Sequence, residues 1–423
     1  MKIEIVPSNS NLPLREGWKR LTEKDFNHYE SFFAKHPDIQ PESIEEIYTR
    51  GVFEKYKYPL IILRHIDWML KINGVFIIDT CSIGGHWCGP YRPEMILRHF
   101  IAIAFTDKYI LTKDDRQQTY LHLKYQKKVS TLPKDDTIEK WTWGICSNGT
   151  KNDRVMEMIQ QINSLQIPSC EIIVCGPYPS NNLPSNVRVL DDSPIYTEDD
   201  TRIPITKKKN LIAENATYNN LVILHDRFHI PSSWYQSMLR YGNYFDLLLT
   251  PVKVIDNLAH HTFDWQNGDY YNLDNPINQD IEERLPYSAY NEHVFVNGGI
   301  LICKKHIYNE IKQSYKLNWG EMEDADFSQR LTRSGYLVHL DINNYIVSTT
   351  LRMHSLGPAE LYRSKPSILQ RIITNKNYYR HFHESKVKYS KFAVVEEKYD
   401  IVMDFRYWFY RILWWFCKHF VKE

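Results

Sequence analysis

Between residues 141 and 224, short apolar strands alternate with helix-length amphipathic stretches, and that rhythm restricts the fold more than any other feature of the chain. The segment reads as a strand at 141–146, a helix at 153–165, strands at 171–175 and 187–190, a helix at 208–216 and a strand at 221–224. Strands and helices alternating in this way form βαβ units, which build a mostly parallel sheet covered by helices. Ligands of such sheets gather beyond the carboxyl ends of the strands, so the residues following each strand are the first candidates for function.

The flanks have different textures. Before about Leu132, strands are predicted at 2–6, 44–48 and 74–79, and a helix at 60–70, while YLHLKY (120–125) alternates as a late antiparallel strand should. PKDD (133–136) reads as a linker. From about Ser367 the chain is rich in Lys, Tyr and His, and it closes with DFRYWFYRILWWFCKHFVKE (404–423). These changes divide it into 1–135, 136–366 and 367–423.

With 52 basic and 51 acidic side chains the net charge is +1, so no global basic field points to a nucleic-acid partner. Cys81, Cys88, Cys146, Cys170, Cys175, Cys303 and Cys417 are scattered without CxxC pairs, which predicts neither a disulfide framework nor structural zinc. The opening MKIEIVPSNSNLPL lacks the apolar core of a secretory leader, and no uncharged apolar run reaches the roughly 18–20 residues of a membrane span. The expected location is cytoplasmic.

Four features of the middle region carry chemistry. LVILHDRFHIP (221–231) is an apolar strand that delivers His225 and Asp226 to its carboxyl end, where a carboxylate suits a hard cation or an ordinary turn. VFVNGGILI (294–302) interrupts a strand-like run with Asn297, Gly298 and Gly299; paired glycines there make a bulge or admit another molecule close to the backbone. WGEMEDADFSQRLTRSGY (319–336) opens an amphipathic helix with Glu321, Glu323, Asp324 and Asp326. Dipole and capping chemistry accounts for one or two of these carboxylates. LRMHSLG (351–357) places His354 after a predicted strand at 345–351.

In this order and spacing the four segments resemble the GT-A fold of nucleotide-sugar glycosyltransferases, and family 2 enzymes of bacterial surface-polysaccharide assembly in particular. The resemblance covers most of 141–358 and implies a Rossmann-like, mostly parallel α/β catalytic domain. It implies Asp226 and His354 as ligands of Mn2+ or Mg2+, and Asp324 as the catalytic base with Glu323 beside it. Ser147, Lys209, Asn210, Asn297, Gly298, Gly299 and Trp319 are then the donor-binding residues. The implied partners are a nucleotide-sugar donor and a glycan or lipid-linked acceptor, and the implied reaction inverts the anomeric centre. Two departures stand out. Leu224 occupies the place of the first aspartate of the family's Asp-x-Asp motif, and Cys175-Gly176 the place of its base-contacting aspartate. KKKN (207–210) heads the helix before the metal strand, either as donor-binding residues or as a solvated helix start.

SIEEIYTRGVFEKYKYPLIILRHIDWMLKINGVFIID (43–79) resembles the second half of a class I S-adenosylmethionine-dependent methyltransferase. The start, IEIVPSNSNLPLREGW (3–18), has no GxG where that family's cofactor loop stands, and such loops need glycine for tight turns and close approach. The resemblance therefore implies a smaller, degenerate methyltransferase-like α/β domain over 1–135. In the helical tail, Arg411, Lys418 and Lys422 form one stripe among aromatic residues, which fits peripheral contact with a membrane interface or docking on the protein's own core. Two other functions remain open: a sugar- or nucleotide-binding protein that has lost transfer, and an active methyltransferase.

Overall fold

The computed structural model describes residues 1–26, 31–54, 59–81, 108–116, 120–133, 135–196, 204–250, 252–255, 260–262, 265–267, 294–296, 298–318, 322–341 and 343–349. His354, Asn297, Trp319, Glu321 and the tail from residue 367 lie outside them. The chain is mixed α/β. In order, its elements are β1 (Lys2–Val6), β2 (Lys19–Thr22), α1 (Phe32–Lys35), β3 (Ile44–Arg50), α2 (Pro59–Met69), β4 (Leu70–Cys81), β5 (Tyr109–Arg116) and β6 (Tyr120–Lys127). Then come β7 (Lys140–Cys146), α3 (Asn152–Ser164), β8 (Ser169–Cys175), β9 (Val187–Leu190), α4 (Ile205–Asn215), β10 (Asn220–His225), β11 (Phe228–His229), α5 (Trp234–Tyr241) and β12 (Leu247–Leu249). The last are β13 (Val252–Ile255), β14 (His260–Thr262), β15 (Trp265–Asn267), β16 (Val294–Val296), β17 (Ile300–Lys304), α6 (Lys305–Ile311), α7 (Glu323–Arg333), β18 (Val338–Leu340) and β19 (Ile346–Ser348).

Two compact units emerge: Met1–Pro251 with Asp264–Asp269 and Arg284–Ile346, and Val252–Phe263 with Tyr270–Glu283 and Val347–Glu423. In the second, β13 and β14 pair antiparallel, Lys253 opposite Thr262.

Among the described residues, the first unit holds two large sheets and the antiparallel pair β15–β16. One has the order β2-β1-β3-β4-β6-β5. Its first four strands are parallel, and β6 runs antiparallel between β4 and β5, as its alternating sequence predicts. The other has the order β18-β12-β17-β10-β7-β8-β9. Here β10, β7, β8 and β9 are parallel, while β17 runs against both β10 and β12. β7 lies at the sheet's interior, and every residue of WTWGIC is buried, the pattern of a strand covered on both faces. Trp141 and Trp143 pack on Trp234 of α5 with ring centroids 5.0 and 4.6 Å away. Helix α3 turns Val155, Met158, Ile159 and Ile162 inward at the spacing of one helical face. The predicted strands and helices of 141–224 are all present, within a few residues of their expected bounds.

Helix α2 joins the two sheets. It is apolar on nearly every side, and a helix of that kind must be buried. Its one arginine, Arg64, is buried with it and makes a fork to Asp246: Nε to Oδ2 at 2.9 Å and Nη2 to Oδ1 at 2.8 Å. Asp67 takes Nη1 at 2.7 Å and the Tyr109 hydroxyl at 2.8 Å. Asp246 Oδ2 also accepts the Leu337 backbone N–H at 2.9 Å, so the bridge reaches the start of β18. Removing one partner of a buried ion pair strands the other charge. Asp246→Ala is therefore expected to cost about 3–5 kcal/mol in chemical denaturation, and the double variant Arg64→Met/Asp246→Leu distinctly less.

Candidate functional site

Strands β7, β8, β9 and β10 all end at one edge of the second sheet, and lysines of α4 hold the residues after β7 and β9 and those before β17. After β7, Ser147 is 1% exposed, and its Oγ accepts the Gly149 N–H at 3.1 Å. Its carbonyl accepts Lys208 Nζ at 2.6 Å. Gly176, after β8, has φ +120°, and a Cβ there would lie 2.2 Å from the Ser147 carbonyl oxygen, so no side chain fits where the family's base-contacting aspartate would stand. Lys208 Nζ also lies 2.6 Å from Asp192, just beyond β9. Burial works against the Lys208 charge, but the Asp192 carboxylate outweighs it and raises the ammonium's pKa above its ordinary value. One lysine thus ties the ends of β7 and β9 together.

Lys209, the next residue, is fully buried and donates to the Gly298 carbonyl at 2.8 Å. The solvated-helix-start reading of these lysines is thereby corrected for Lys208 and Lys209: α4 lies against the sheet and carries both inward. Asn210 is turned to another task. Its Nδ2 donates to the Gln313 carbonyl at 2.8 Å, and its Oδ1 accepts from Gln313 N and the Tyr308 hydroxyl, each at 3.0 Å.

The glycine pair meets the acidic helix start directly. Gly298 N–H donates to Asp324 Oδ2 at 2.8 Å, and Asp324 Oδ1 accepts the Ala325 N–H at 2.9 Å. Gly299 presents its carbonyl to the backbone N–H of His225 at 3.0 Å, one residue before Asp226. Gly298, Gly299, Asp226 and Asp324 therefore belong to one neighbourhood at the carboxyl end of β10. Glu323 is 5% exposed. Asp326 faces another way and pairs with Arg330 at 2.7 Å, which divides the acidic cluster between a site and an ordinary helix-surface bridge.

Lys151 and Asp192 are functional candidates that the sequence reading passed over. Lys151 Nζ stands 3.6 Å from an Asp226 oxygen, and its side chain is 37% exposed, which leaves a solvent-facing cation at this edge. The rule that singles out Asp226, a carboxylate just past a strand, applies equally to Asp192 after β9.

Among the described residues, no group of three or more His, Cys, Asp or Glu is placed to hold a metal ion. Asp226 offers one carboxylate, with Lys151 beside it, and an ion of the Mg2+ type takes only one or two protein carboxylates where waters and substrate phosphates complete its shell. Its implied co-ligand His354 lies outside the described residues.

Neither a protein-family profile nor a curated protein matches the sequence. Similar solved structures include S. aureus TarS residues 1–349, at 12% identity over 61% of this chain and 77% of that one, with a TM-score of 0.34. Glucosyl-3-phosphoglycerate synthase from Mycobacterium tuberculosis, in complex with Mn2+, UDP and glucosyl-3-phosphoglycerate, matches at 11% identity over 54% of this chain and 81% of that one, with a TM-score of 0.32. A protein assigned as a type 11 methyltransferase from Sulfolobus solfataricus matches at 15% identity over 27% and 63%, with a TM-score of 0.20.

A Cβ on Gly298 would sit 3.1 Å from Asp324 Cβ and Oδ2 and 3.2 Å from Glu323 Oε1. Gly298→Ala is expected to push the α7 start outward and cost about 1–3 kcal/mol, the usual scale of overpacking. A double cycle with Asp324→Ala, read by denaturant melts, should recover part of that loss.

Proposed function

We propose that the edge formed by Asp226, Gly298, Gly299, Glu323 and Asp324 is the transfer site of an inverting glycosyltransferase that takes a sugar from a nucleotide-sugar donor. The observation that supports this most is the contact of Gly298 with Asp324, braced from behind by Lys209. It sets a carboxylate against a backbone with no side chain in the way, beside a second carboxylate and an exposed lysine.

The chemistry asks for three things. As the bond from the anomeric carbon to the leaving diphosphate breaks, its electron pair departs with the diphosphate and positive charge builds on the sugar. The acceptor oxygen forms the new bond from the opposite face, and its proton must be taken. Asp324 is the base in this reading. Backbone N–H bonds to both of its oxygens hold the carboxylate in one orientation, and each oxygen keeps a further lone pair for the acceptor hydroxyl. Lys151 meets the diphosphate charge, and Gly298 and Gly299 let the donor sugar approach the backbone. A divalent ion, when bound by Asp226 and His354, would supply further charge neutralisation at the diphosphate.

Asp324→Asn should lower transfer from the nucleotide-sugar donor, found by screening a panel of them, by ~10²–10⁴-fold, the usual worth of positioned proton transfer. Donor affinity, measured by calorimetry, should stay within a few-fold. Near-normal turnover in this variant removes Asp324 from the base role. The same assay separates the binding-only reading, which draws on Leu224: that residue is fully buried in β10 between Ile145 and Ile300, so the strand offers no first aspartate. A protein that only binds would show no sugar transfer and no donor hydrolysis.

The first sheet supports the degenerate-domain reading of residues 1–135. No helix lies between β1 and β2, and the connection at 7–18 contains a single glycine, Gly17. Titration with S-adenosylmethionine should show no binding; micromolar affinity would reinstate an active methyltransferase.

A further inference from the structure

The loops after β7 and β10 leave the second sheet side by side, because the two strands are parallel neighbours and Cys146 stands opposite His225 at their ends. One loop carries Lys151 and the other Asp226, and Lys151 Nζ lies 3.6 Å from Asp226 Oδ1. Among the described residues, no other cationic side chain stands within ion-pair distance of that carboxylate.

The backbone that presents Lys151 is fixed. Gly149 N–H donates to Ser147 Oγ and Thr150 N–H to Asn148 Oδ1, each at 3.1 Å, and the Lys151 carbonyl accepts the Val155 N–H at 3.0 Å. Its side chain is held far less firmly. At 3.6 Å the ammonium is beyond hydrogen-bond reach, so charge alone draws it to Asp226. Lys208, by contrast, is buried and stands 2.6 Å from both the Ser147 carbonyl and Asp192. Lys151 is 37% exposed and ends a flexible stem that can turn elsewhere. The Asp226 side chain is the better covered partner at 13%, and the ammonium balances its charge while nothing else is bound.

A divalent cation on Asp226 would stand within a few ångströms of that ammonium. One carboxylate does not offset both charges, so the lysine and the ion compete for it. A nucleotide-sugar donor changes the balance, because its diphosphate is a second and larger anion. The ammonium then turns to the diphosphate and leaves the carboxylate to the ion.

We propose that Lys151 is a positioning residue that occupies Asp226 in the empty site and yields it to a divalent cation when the donor's diphosphate arrives. This rests on the reading of Asp226 as the cation's carboxylate in the transfer site. The free protein then holds the cation weakly, and cation and diphosphate strengthen each other's binding by the same factor. The test titrates Mn2+ into the full chain without donor and follows the free ion by electron paramagnetic resonance. Lys151→Met is expected to bind Mn2+ about tenfold more tightly than wild type, the scale of removing one like charge from a partly solvated site. Lys151→Arg should restore weak binding, and adding Asp226→Asn to Lys151→Met should abolish the gain. With UDP, GDP, ADP and dTDP as diphosphate probes, corrected by protein-free controls, at least one should strengthen Mn2+ binding more in wild type than in Lys151→Met. Melting curves establish that each variant folds, and Lys151→Gln decides if Lys151→Met does not. A merely structural lysine would leave Mn2+ affinity unmoved. Equal affinity in wild type and Lys151→Met overturns the proposal, as does a gain that survives Asp226→Asn or an equal response to every diphosphate. The transfer reaction fails separately: the gain without sugar transfer or donor hydrolysis leaves the ion exchange standing, whereas transfer without the gain overturns the exchange alone.

Discussion

The buried fork between Arg64 and Asp246 makes one unit of two sheets. Arg64 belongs to a helix packed under the first sheet, and Asp246 stands at the threshold of β12 in the second. The energetic case for such a pair is one-sided: apolar replacements of similar volume are often as stable, whereas a single broken partner is strongly destabilising. What the pair supplies is placement. A bidentate arginine accepts only one relative orientation of its carboxylate. The same carboxylate takes the Leu337 N–H and so positions the edge strand β18, whose far end leads to Asp341.

How much of this was legible in the sequence depended on the range of the signal. The βαβ order of 141–224 could be read because each strand and helix declares itself within a window of about ten residues. The alternation of YLHLKY gave away β6 for the same reason. The three-residue strands β12 and β18 carry no such pattern; β12 takes its place from pairing with β17, and β18 becomes the edge strand by pairing with β12. Likewise, VFVNGGILI announced a strand with a glycine break, but nothing local says that β17 runs against its neighbours. The bridge from Arg64 to Asp246 spans 182 positions and Lys209 to Gly298 spans 89. Contacts at such separations belong to topology, which no periodicity encodes.

The candidate site shows the same division. Its motif residues were recognisable as a set, and the fold brings Gly298, Gly299, Asp226 and Asp324 to one place. The roles of neighbours were not recognisable. Three consecutive lysines look alike in a sequence, yet Lys207 donates to the Ile195 carbonyl, Lys208 holds Ser147 and Asp192, and Lys209 holds Gly298. Asn210, one position on, faces Gln313 and Tyr308. Helical geometry explains the difference, since successive residues point about 100° apart and each meets a different part of the chain.

Buried lysines recur throughout the first unit with one common function. Lys127 is fully buried and donates to the carbonyls of Asp67 and Leu70 and to Glu42. Lys304 gathers Asp136, Asn220 and Asn243 around its ammonium, and burial still drags its pKa down to about 8. Each carries a desolvation cost that only several well-aimed oxygens can offset. Carbonyls and acids from different loops are thereby fixed to a single point. At the carboxyl edge of the second sheet this logic has a functional consequence. Lys208 and Lys209 use their charges to lock the loops, so they add rigidity rather than free positive potential. Lys151, 37% exposed and 3.6 Å from Asp226, instead leaves its charge at the surface of this edge. A site whose backbone is already held by internal cations loses little order when a ligand binds, and that is the condition under which positioned groups accelerate a reaction.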